Sequence, residues 1–257
     1  MNNDEYSKIK HKTPYIYKIK NGEQFLYYFG ERHSFDPKHP QWIEEKKFWS
    51  DFIEKTEGQK RVALVEAGRP SVEETEEKAI MEAGGTGLVI YFASKQNIEV
   101  YCPEPNRGFE MNELKKQFPQ EEVEYYYFAR IVDQWGRIPE PRPVFDEYII
   151  KFLERDKRES KWDDFDFSFD NMKTVHKKLF GVEFDLGDLN FFRDIVTPVE
   201  LNTIINKVSR ASGNVREGHI VSEIHKYWKN GYSIFIEYGA SHAVRQEPLL
   251  RELLSEK

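Results

Sequence analysis

The chain has 257 residues, of which 39% are hydrophobic and 15% aromatic, so it carries enough large apolar side chains for a packed core. Its 45 acidic residues outnumber its 38 Lys and Arg residues, and the formal net charge of -7 argues against nucleic-acid binding. No stretch approaches the ~20 apolar residues of a membrane span. The single cysteine, Cys102, allows no intramolecular disulfide, and no apolar signal peptide opens the chain. These features predict a cytoplasmic protein that is not attached to a membrane.

Short apolar and aromatic runs in the first hundred residues predict buried strands. They lie at 24–30, 61–66 and 98–102, and a glycine or proline lies at or shortly after the end of each. Between the first two, residues 42–54 place their apolar side chains at helical spacing with charges opposite. Strand, helix, strand is the order of a parallel crossover unit, so this region predicts a mostly parallel sheet.

A second helix is predicted to begin at Ser71, whose hydroxyl can cap it. Gly84, Gly85 and Gly87 interrupt that helix, which resumes at 88–95. A glycine turn before a helix can hold an anion on its amide groups, but a simple break in the helix is the more common role of such a cluster.

The middle of the chain differs from both ends because it contains helical patterns without a clear strand. These patterns lie at 121–135, 144–158, 171–180 and 199–209. Strand-like sequence resumes at 232–238, between helices predicted at 221–229 and 248–254. We therefore predict one α/β domain over residues 1–257, with a central mostly parallel or mixed sheet flanked by helices, and a helical insertion at 112–207 that forms a cap.

Two GxxH motifs follow directly on predicted strands, at Gly30 to His33 and at Gly239 to His242. Residues just past the carboxyl ends of parallel strands line the crevice in which such sheets bind ligands. The two imidazoles could therefore face one pocket, although a histidine after a strand is also often a surface or capping residue.

Acidic residues stand at the same strand ends. Glu31 lies inside the first GxxH motif, and Glu66 ends the second strand. With His33 and His242 they would form either a site for a hard cation or an acid/base cluster. Glu237 is interpreted as a structural group, because it lies within a buried strand.

Arg216 precedes a predicted helix and could bring a guanidinium to a substrate carboxylate or a developing oxyanion. From local sequence alone, a surface arginine is the commoner interpretation.

These motifs together resemble one known superfamily. They are the paired GxxH sequences, the strand that ends at Glu66, GGTG at 84–87, REGHI at 216–220 and IFIEYGASH at 234–242. The arrangement resembles the group that includes Tiki, TraB and erythromycin-esterase proteins and the ChaN haem-uptake proteins. The resemblance implies that His33, Glu66, Arg216 and His242 surround an active pocket, with Glu31 beside them.

Metal-dependent peptidases and an esterase belong to that superfamily, so the resemblance favours hydrolysis of a small-molecule or peptide substrate. His33, Glu66 and His242 would be the ligands of a divalent metal (Mn, Co or Zn), and a metal-free reaction is the alternative. Two other functions stay open at this point. One is a non-catalytic protein that binds haem or a small ligand in the same pocket, and the other is partner docking by the aromatic helical insertion. The sequence does not indicate an oligomeric state.

Overall fold

The computed structural model describes residues 3–66, 68 and 70–255. The chain divides into two compact units. One, which we call the α/β unit, comprises residues 1–104 and 217–257, and the other, the helical unit, comprises residues 105–216. The predicted insertion at 112–207 lies inside the helical unit.

The helices are α1 (Asn3–Tyr6), α2 (Gln41–Lys55), α3 (Glu76–Lys95), α4 (Arg107–Lys115), α5 (Gln120–Gly136), α6 (Phe145–Ser160), α7 (Phe169–Phe180), α8 (Leu189–Ile195), α9 (Ile204–Lys229) and α10 (Ala240–Leu254). Among the described residues, none of these helices is both long and apolar enough to cross a membrane.

The strands are β1 (Tyr15–Asn21), β2 (Gln24–Glu31), β3 (Lys60–Val65), β4 (Glu99–Tyr101) and β5 (Tyr232–Gly239). They form one sheet in the order β1-β2-β5-β3-β4. β1 is antiparallel to β2, and the other neighbours are parallel. The predicted α/β fold, with a mostly parallel sheet flanked by helices, is therefore confirmed.

β2 is buried on both faces, which explains why its sequence is a continuous apolar run. Leu26 and Tyr28 face a cluster that includes residues of α9 and α10, whereas Tyr27 and Phe29 face a cluster with residues of α2 and α3. The sheet is thus the middle of three layers. The candidate site lies at the carboxyl ends of its parallel strands.

Two helix boundaries differ from the sequence predictions. The side chain of Thr75, not Ser71, caps α3 by accepting a hydrogen bond from the backbone N–H of Lys78. The last helix begins at Ala240, directly after β5, and continues through Pro248. The sequence places it later because proline is usually excluded from the interior of a helix.

α9 is a single 26-residue helix, where the sequence predicts two separate ones. Arg216 therefore lies inside a helix and not ahead of one. The chain passes from the helical unit to the α/β unit within α9, between residues 216 and 217.

The helical unit has a core of its own. Tyr125, Phe128 and Val132 of α5 are buried with apolar residues from the surrounding helices, among them Ile149 of α6 and Phe192 of α8. No strand occurs between residues 105 and 216, all of which the structure describes.

Candidate functional site

The site lies at the carboxyl ends of three adjacent parallel strands. β5 lies between β2 and β3, and the register pairs Glu31 of β2 with Gly239 of β5. The backbone N–H of Glu66 donates to the carbonyl of Glu237, which continues the pairing of β3 with β5 by one residue. Residues that follow these strands therefore start from one edge of the sheet.

His33 is oriented by a carboxylate two residues before it. Its Nδ1 lies 2.8 Å from Oε1 of Glu31, a side chain that is 5% exposed. That hydrogen bond raises the pKa of His33 above its ordinary value of 6.5; partial burial opposes the rise, and the charge of Glu66 adds to it. Because Nδ1 is engaged, Nε2 is the ring nitrogen available for chemistry.

His242, in the first turn of α10, lies against a different carboxylate. Its Nδ1 lies 2.7 Å from Oε1 of Glu217, on α9. Burial acts to raise the pKa of Glu217, but the hydrogen bond and charge of His242, together with Arg245 and Gln246, hold it below its ordinary value. The carboxylate of Glu217 is thus a charged anchor for the second imidazole.

Glu66 lies between the two imidazoles. Its Oε2 is 3.8 Å from Nε2 of His33, and its Oε1 is 3.5 Å from Nε2 of His242. Oε2 also accepts a 2.6 Å hydrogen bond from the backbone N–H of Gly239. A Cβ atom at Gly239 would lie 3.0 Å from Nε2 of His33 and 3.3 Å from Oε2 of Glu66, so glycine is what lets the backbone approach this closely.

Buried carboxyl groups lie next to this site. Glu237 is 1% exposed and accepts a 2.9 Å hydrogen bond from the hydroxyl of Thr86. Glu45 is fully buried, and neither of its carboxyl oxygens has a hydrogen-bond partner among the described residues. Burial raises the pKa of both groups well above the ordinary range, and the charge of Glu31 raises both further. Both groups therefore favour the protonated form more strongly than an exposed glutamate does.

The glycine cluster makes room for these carboxyl groups. α3 is kinked at Ala83 and Gly84, and Gly84 has a φ of 57°. A Cβ at Gly85 would lie 2.6 Å from Oε2 of Glu31 and 2.7 Å from Oε1 of Glu237. The break in the helix that the sequence predicts is therefore present, and Gly85 leaves space for two acidic side chains.

A cavity of about 320 Å³ opens beside the site. Glu31, His33 and Glu66 line it, together with Phe35 and residues at the α3 kink. His242 does not line this cavity and reaches the site through Glu66.

Arg216, the fifth predicted site residue, belongs to the helical unit. There it lines a different cavity, together with Arg107, Arg130 and Arg155.

Two site residues escape the sequence prediction. Glu217, which follows Arg216 in the sequence, contacts Nδ1 of His242. No sequence pattern around Glu217 indicates this contact, which becomes apparent only when the surroundings of His242 are known. Glu45 left a weak signal, since it is a charged residue on the apolar side of α2.

The side-chain chemistry of the site suits a divalent cation. Two imidazole nitrogens and one carboxylate are ligands for Zn²⁺, Mn²⁺ or Co²⁺, and metal-bound histidines commonly give their other nitrogen to a carboxylate, as both do here. In the described part of the chain, however, no group of three or more His, Cys, Asp or Glu side chains is arranged closely enough to hold a metal ion.

Comparison with known proteins adds nothing to this geometry. No family model, curated protein or solved structure matches this chain.

Proposed function

We propose that the α/β unit is a hydrolase that cleaves an ester or amide bond with an activated water molecule. The observation that carries the proposal is the pair of imidazoles whose Nε2 atoms both approach Glu66, at 3.8 Å and 3.5 Å, while a carboxylate holds each Nδ1. A carboxylate on Nδ1 fixes the tautomer and orientation of an imidazole that must exchange protons through Nε2.

His33 is the candidate general base. It lines the cavity and is largely exposed, so a water molecule and a substrate can both reach its Nε2. When Nε2 takes a proton from water, the ring becomes positive, and the carboxylate of Glu31 stabilises that charge.

His242 is the candidate proton donor to the leaving group. Its side chain is 14% exposed, and Glu217 would stabilise its protonated form. Glu66 contacts both imidazoles and would keep their Nε2 atoms close to each other. Two histidines in different environments can thus divide the roles of base and acid.

A divalent cation, when bound, would polarise the scissile carbonyl and lower the pKa of a water molecule. His33, Glu66 and His242 are the residues that would hold it. Because the side-chain types fit while their present arrangement does not form a complete ligand set, metal dependence is a question for the experiment below.

The cavity limits the substrate class. Its volume of about 320 Å³ is at the lower end of pockets that bind small molecules. Phe35, Ala83 and Gly84 give its wall an apolar part beside the carboxylates. A small acyl group, from an ester or from a peptide, fits these dimensions.

The test is a panel of small esters and peptide amides incubated with the purified full-length chain. Each reaction is run as purified, after treatment with a chelator, and after addition of Mn²⁺, Co²⁺ or Zn²⁺. His33→Ala should abolish turnover, whereas His225→Ala, which changes a half-buried histidine of α9 away from the site, should retain it.

The outcomes separate three functions. Turnover that survives the chelator supports the metal-free reaction, and turnover restored by one cation supports the metal-dependent one. Turnover that is equal in the wild type and His33→Ala would refute the assigned site. A ligand that binds to the wild type and is never hydrolysed would favour the non-catalytic binding function.

A further inference from the structure

The helical unit contains a cavity with an unusual concentration of arginines. Its volume is about 320 Å³, and it is lined by Arg107, Arg130, Arg155 and Arg216 together with the carboxylates of Glu110 and Glu159. Four guanidinium groups against two carboxylates leave an excess of positive charge on the wall. This excess occurs in a chain whose formal net charge is -7.

Two of the arginines are held in place by one buried carboxylate. Asp156 is 1% exposed, and its Oδ1 lies 2.8 Å from Nη2 of Arg155 and 3.5 Å from Nε of Arg107. One carboxylate therefore serves two guanidinium groups. This pairing fixes both cations against one buried negative charge, and Glu110 also acts on Arg107.

Aromatic rings orient three of the guanidinium groups. Cζ of Arg107 lies 3.8 Å from the ring centroid of Tyr127, and Cζ of Arg155 lies 4.8 Å from that of Phe152. Cζ of Arg130 is 5.6 Å from the ring centroid of Tyr126. Such contacts restrict the side chains before any ligand arrives, which lowers the entropic cost of binding.

Arg130 has no carboxylate partner among the described residues. Its contacts there are with Tyr126, whose hydroxyl accepts a 3.4 Å hydrogen bond from Nη1 and whose ring lies beneath the guanidinium. A half-buried cation beside other cations is unfavourable unless an anion joins them. Most of its N–H groups remain available to such an anion.

A glycine permits the close helix contact next to the cavity. A Cβ at Gly108 would lie 2.0 Å from the backbone oxygen of Glu159, so α4 and α6 can approach this closely only with glycine there. Arg107 precedes this glycine on α4, and Arg155 lies one turn before Glu159 on α6. The same contact thus brings two of the guanidinium groups to one cavity.

We propose that this cavity binds a small molecule through a phosphate group. One guanidinium group can donate two parallel hydrogen bonds to two oxygens of a phosphate group. Arginine is therefore the usual residue where such planar, bidentate recognition of phosphate is needed. The four arginines come from α4, α5, α6 and α9, so they approach from several directions, which suits a tetrahedral anion better than a planar carboxylate. The volume leaves room for a small organic group attached to the phosphate.

Binding is measured by calorimetry and by thermal unfolding of the full-length chain. The probes are inorganic phosphate, glycerol 3-phosphate, adenosine monophosphate and succinate, each compared with sodium chloride at the same ionic strength. The phosphate probes should bind and raise the melting temperature. A stronger effect of an organic phosphate identifies a phosphorylated metabolite, and an equal effect identifies the free anion.

Arg130→Gln is the decisive variant, because its loss leaves no buried carboxylate unpaired. It should weaken phosphate binding about tenfold or more, as expected for the loss of hydrogen bonds to a charged ligand. Arg130→Lys keeps the charge without the planar group and should be intermediate. The matched control is Arg137→Gln, which removes an exposed arginine next to the end of α5 and should bind like the wild type.

Several results would overturn the proposal. They are an absence of binding above the chloride control, equal binding by Arg130→Gln and the wild type, or tighter binding of succinate than of either organic phosphate. Far-UV circular dichroism and the melting temperature without ligand establish that each variant is folded. None of these measurements uses hydrolase activity, so their outcome does not depend on the proposed function.

Discussion

Asp156 of the helical unit and the glutamates Glu45 and Glu237 of the α/β unit are buried acidic groups with opposite electrostatic surroundings. In the helical unit, Asp156 is buried between two guanidinium groups, which oppose the effect of burial on its pKa. In the α/β unit, Glu45 and Glu237 are at least as deeply buried, and the neighbouring charges that act on them are those of other carboxylates. Asp156 is therefore paired with arginine, whereas burial favours the protonated form of Glu45 and Glu237, as it does for the fully buried Glu124 of the helical unit.

This difference indicates that the arginines of the helical unit are suited to binding a ligand and that the acidic groups of the α/β unit are suited to transferring protons. A carboxylate fixed by two arginines is a permanent ion pair, and the cations it orients are what the unit presents to a ligand. Carboxyl groups whose pKa values are raised by burial, next to a site with two histidines, form a set of titratable groups, which is typical of sites that move protons. The predictions below test this contrast.

The largest effect is expected on activity. Under the proposed function, His33→Ala removes the general base and should reduce turnover about 10²- to 10⁴-fold. The melting temperature should change little, because this imidazole is 64% exposed.

His242→Ala should lose comparable activity but also stability. It leaves the half-buried carboxylate of Glu217 without its imidazole partner. Steady-state kinetics and thermal unfolding of both variants measure the contrast, and a large melting-point loss for His33→Ala would show that this residue supports the fold instead.

The next largest effect is on stability of the helical unit. Asp156→Ala should destabilise the protein by about 3–5 kcal/mol, because it leaves two partly buried guanidinium groups without their shared carboxylate. Urea unfolding of the full chain measures this change. Asp194→Ala, which removes an exposed partner of Arg193, is the matched control and should cost under about 1 kcal/mol. Equal costs would mean that Asp156 is not a structural ion pair.

A smaller effect of opposite sign is expected for Glu45→Gln. The folded pKa of Glu45 lies well above its ordinary value of 4.5, so the folded state keeps a proton that the unfolded state releases. Stability from this group therefore falls as the pH rises above the unfolded value. Glutamine has no proton to lose, so the variant should match the wild type near pH 4 and gain stability by pH 8.

Melting temperatures recorded across that pH range measure the gain, which we expect to be a few degrees. Glu54→Gln, on the exposed side of the same helix, should show no such pH-dependent gain. A Glu45→Gln variant that is less stable than the wild type at every pH would contradict the assignment of a protonated buried acid.

The smallest effect is expected where charges meet at the surface. Arg137→Gln breaks an ion pair between an exposed arginine and half-buried Asp133, and it should change the free energy of unfolding by under about 1 kcal/mol. Urea unfolding at low and high salt checks this value. A loss as large as that of Asp156→Ala would erase the distinction between buried and exposed pairs.

The sequence is sufficient to predict β2, β3 and β5, because these strands are largely buried on both faces and form continuous apolar runs with glycine close to their ends. β1 was missed, since it alternates buried Tyr17 and Ile19 with exposed residues and belongs to a lysine-rich segment. Its signal is the alternation itself together with the two-residue turn at Gly22-Glu23, in which Gly22 has a φ of 57°.

The sequence predicts only those residues of the candidate site that directly follow a predicted strand. His33, Glu66 and His242 each follow a parallel strand, so topology alone brings them to one edge. Glu217 and Arg216 are neighbours in the sequence on a helix, and no local pattern indicates that one anchors an imidazole while the other lines a cavity among arginines. Such assignments depend on long-range packing.

The two edges of the sheet carry a consequence for how copies of this protein behave when crowded. β4 has only three residues, and β1 carries Lys18 and Lys20 on its exposed side. Short strands and lysines at an edge discourage pairing with a strand from another molecule. Replacing Lys18 and Lys20 with threonine would leave an uncharged edge strand of high β-propensity. We expect concentrated solutions of that variant to form fibrous or turbid aggregates, which the wild type resists.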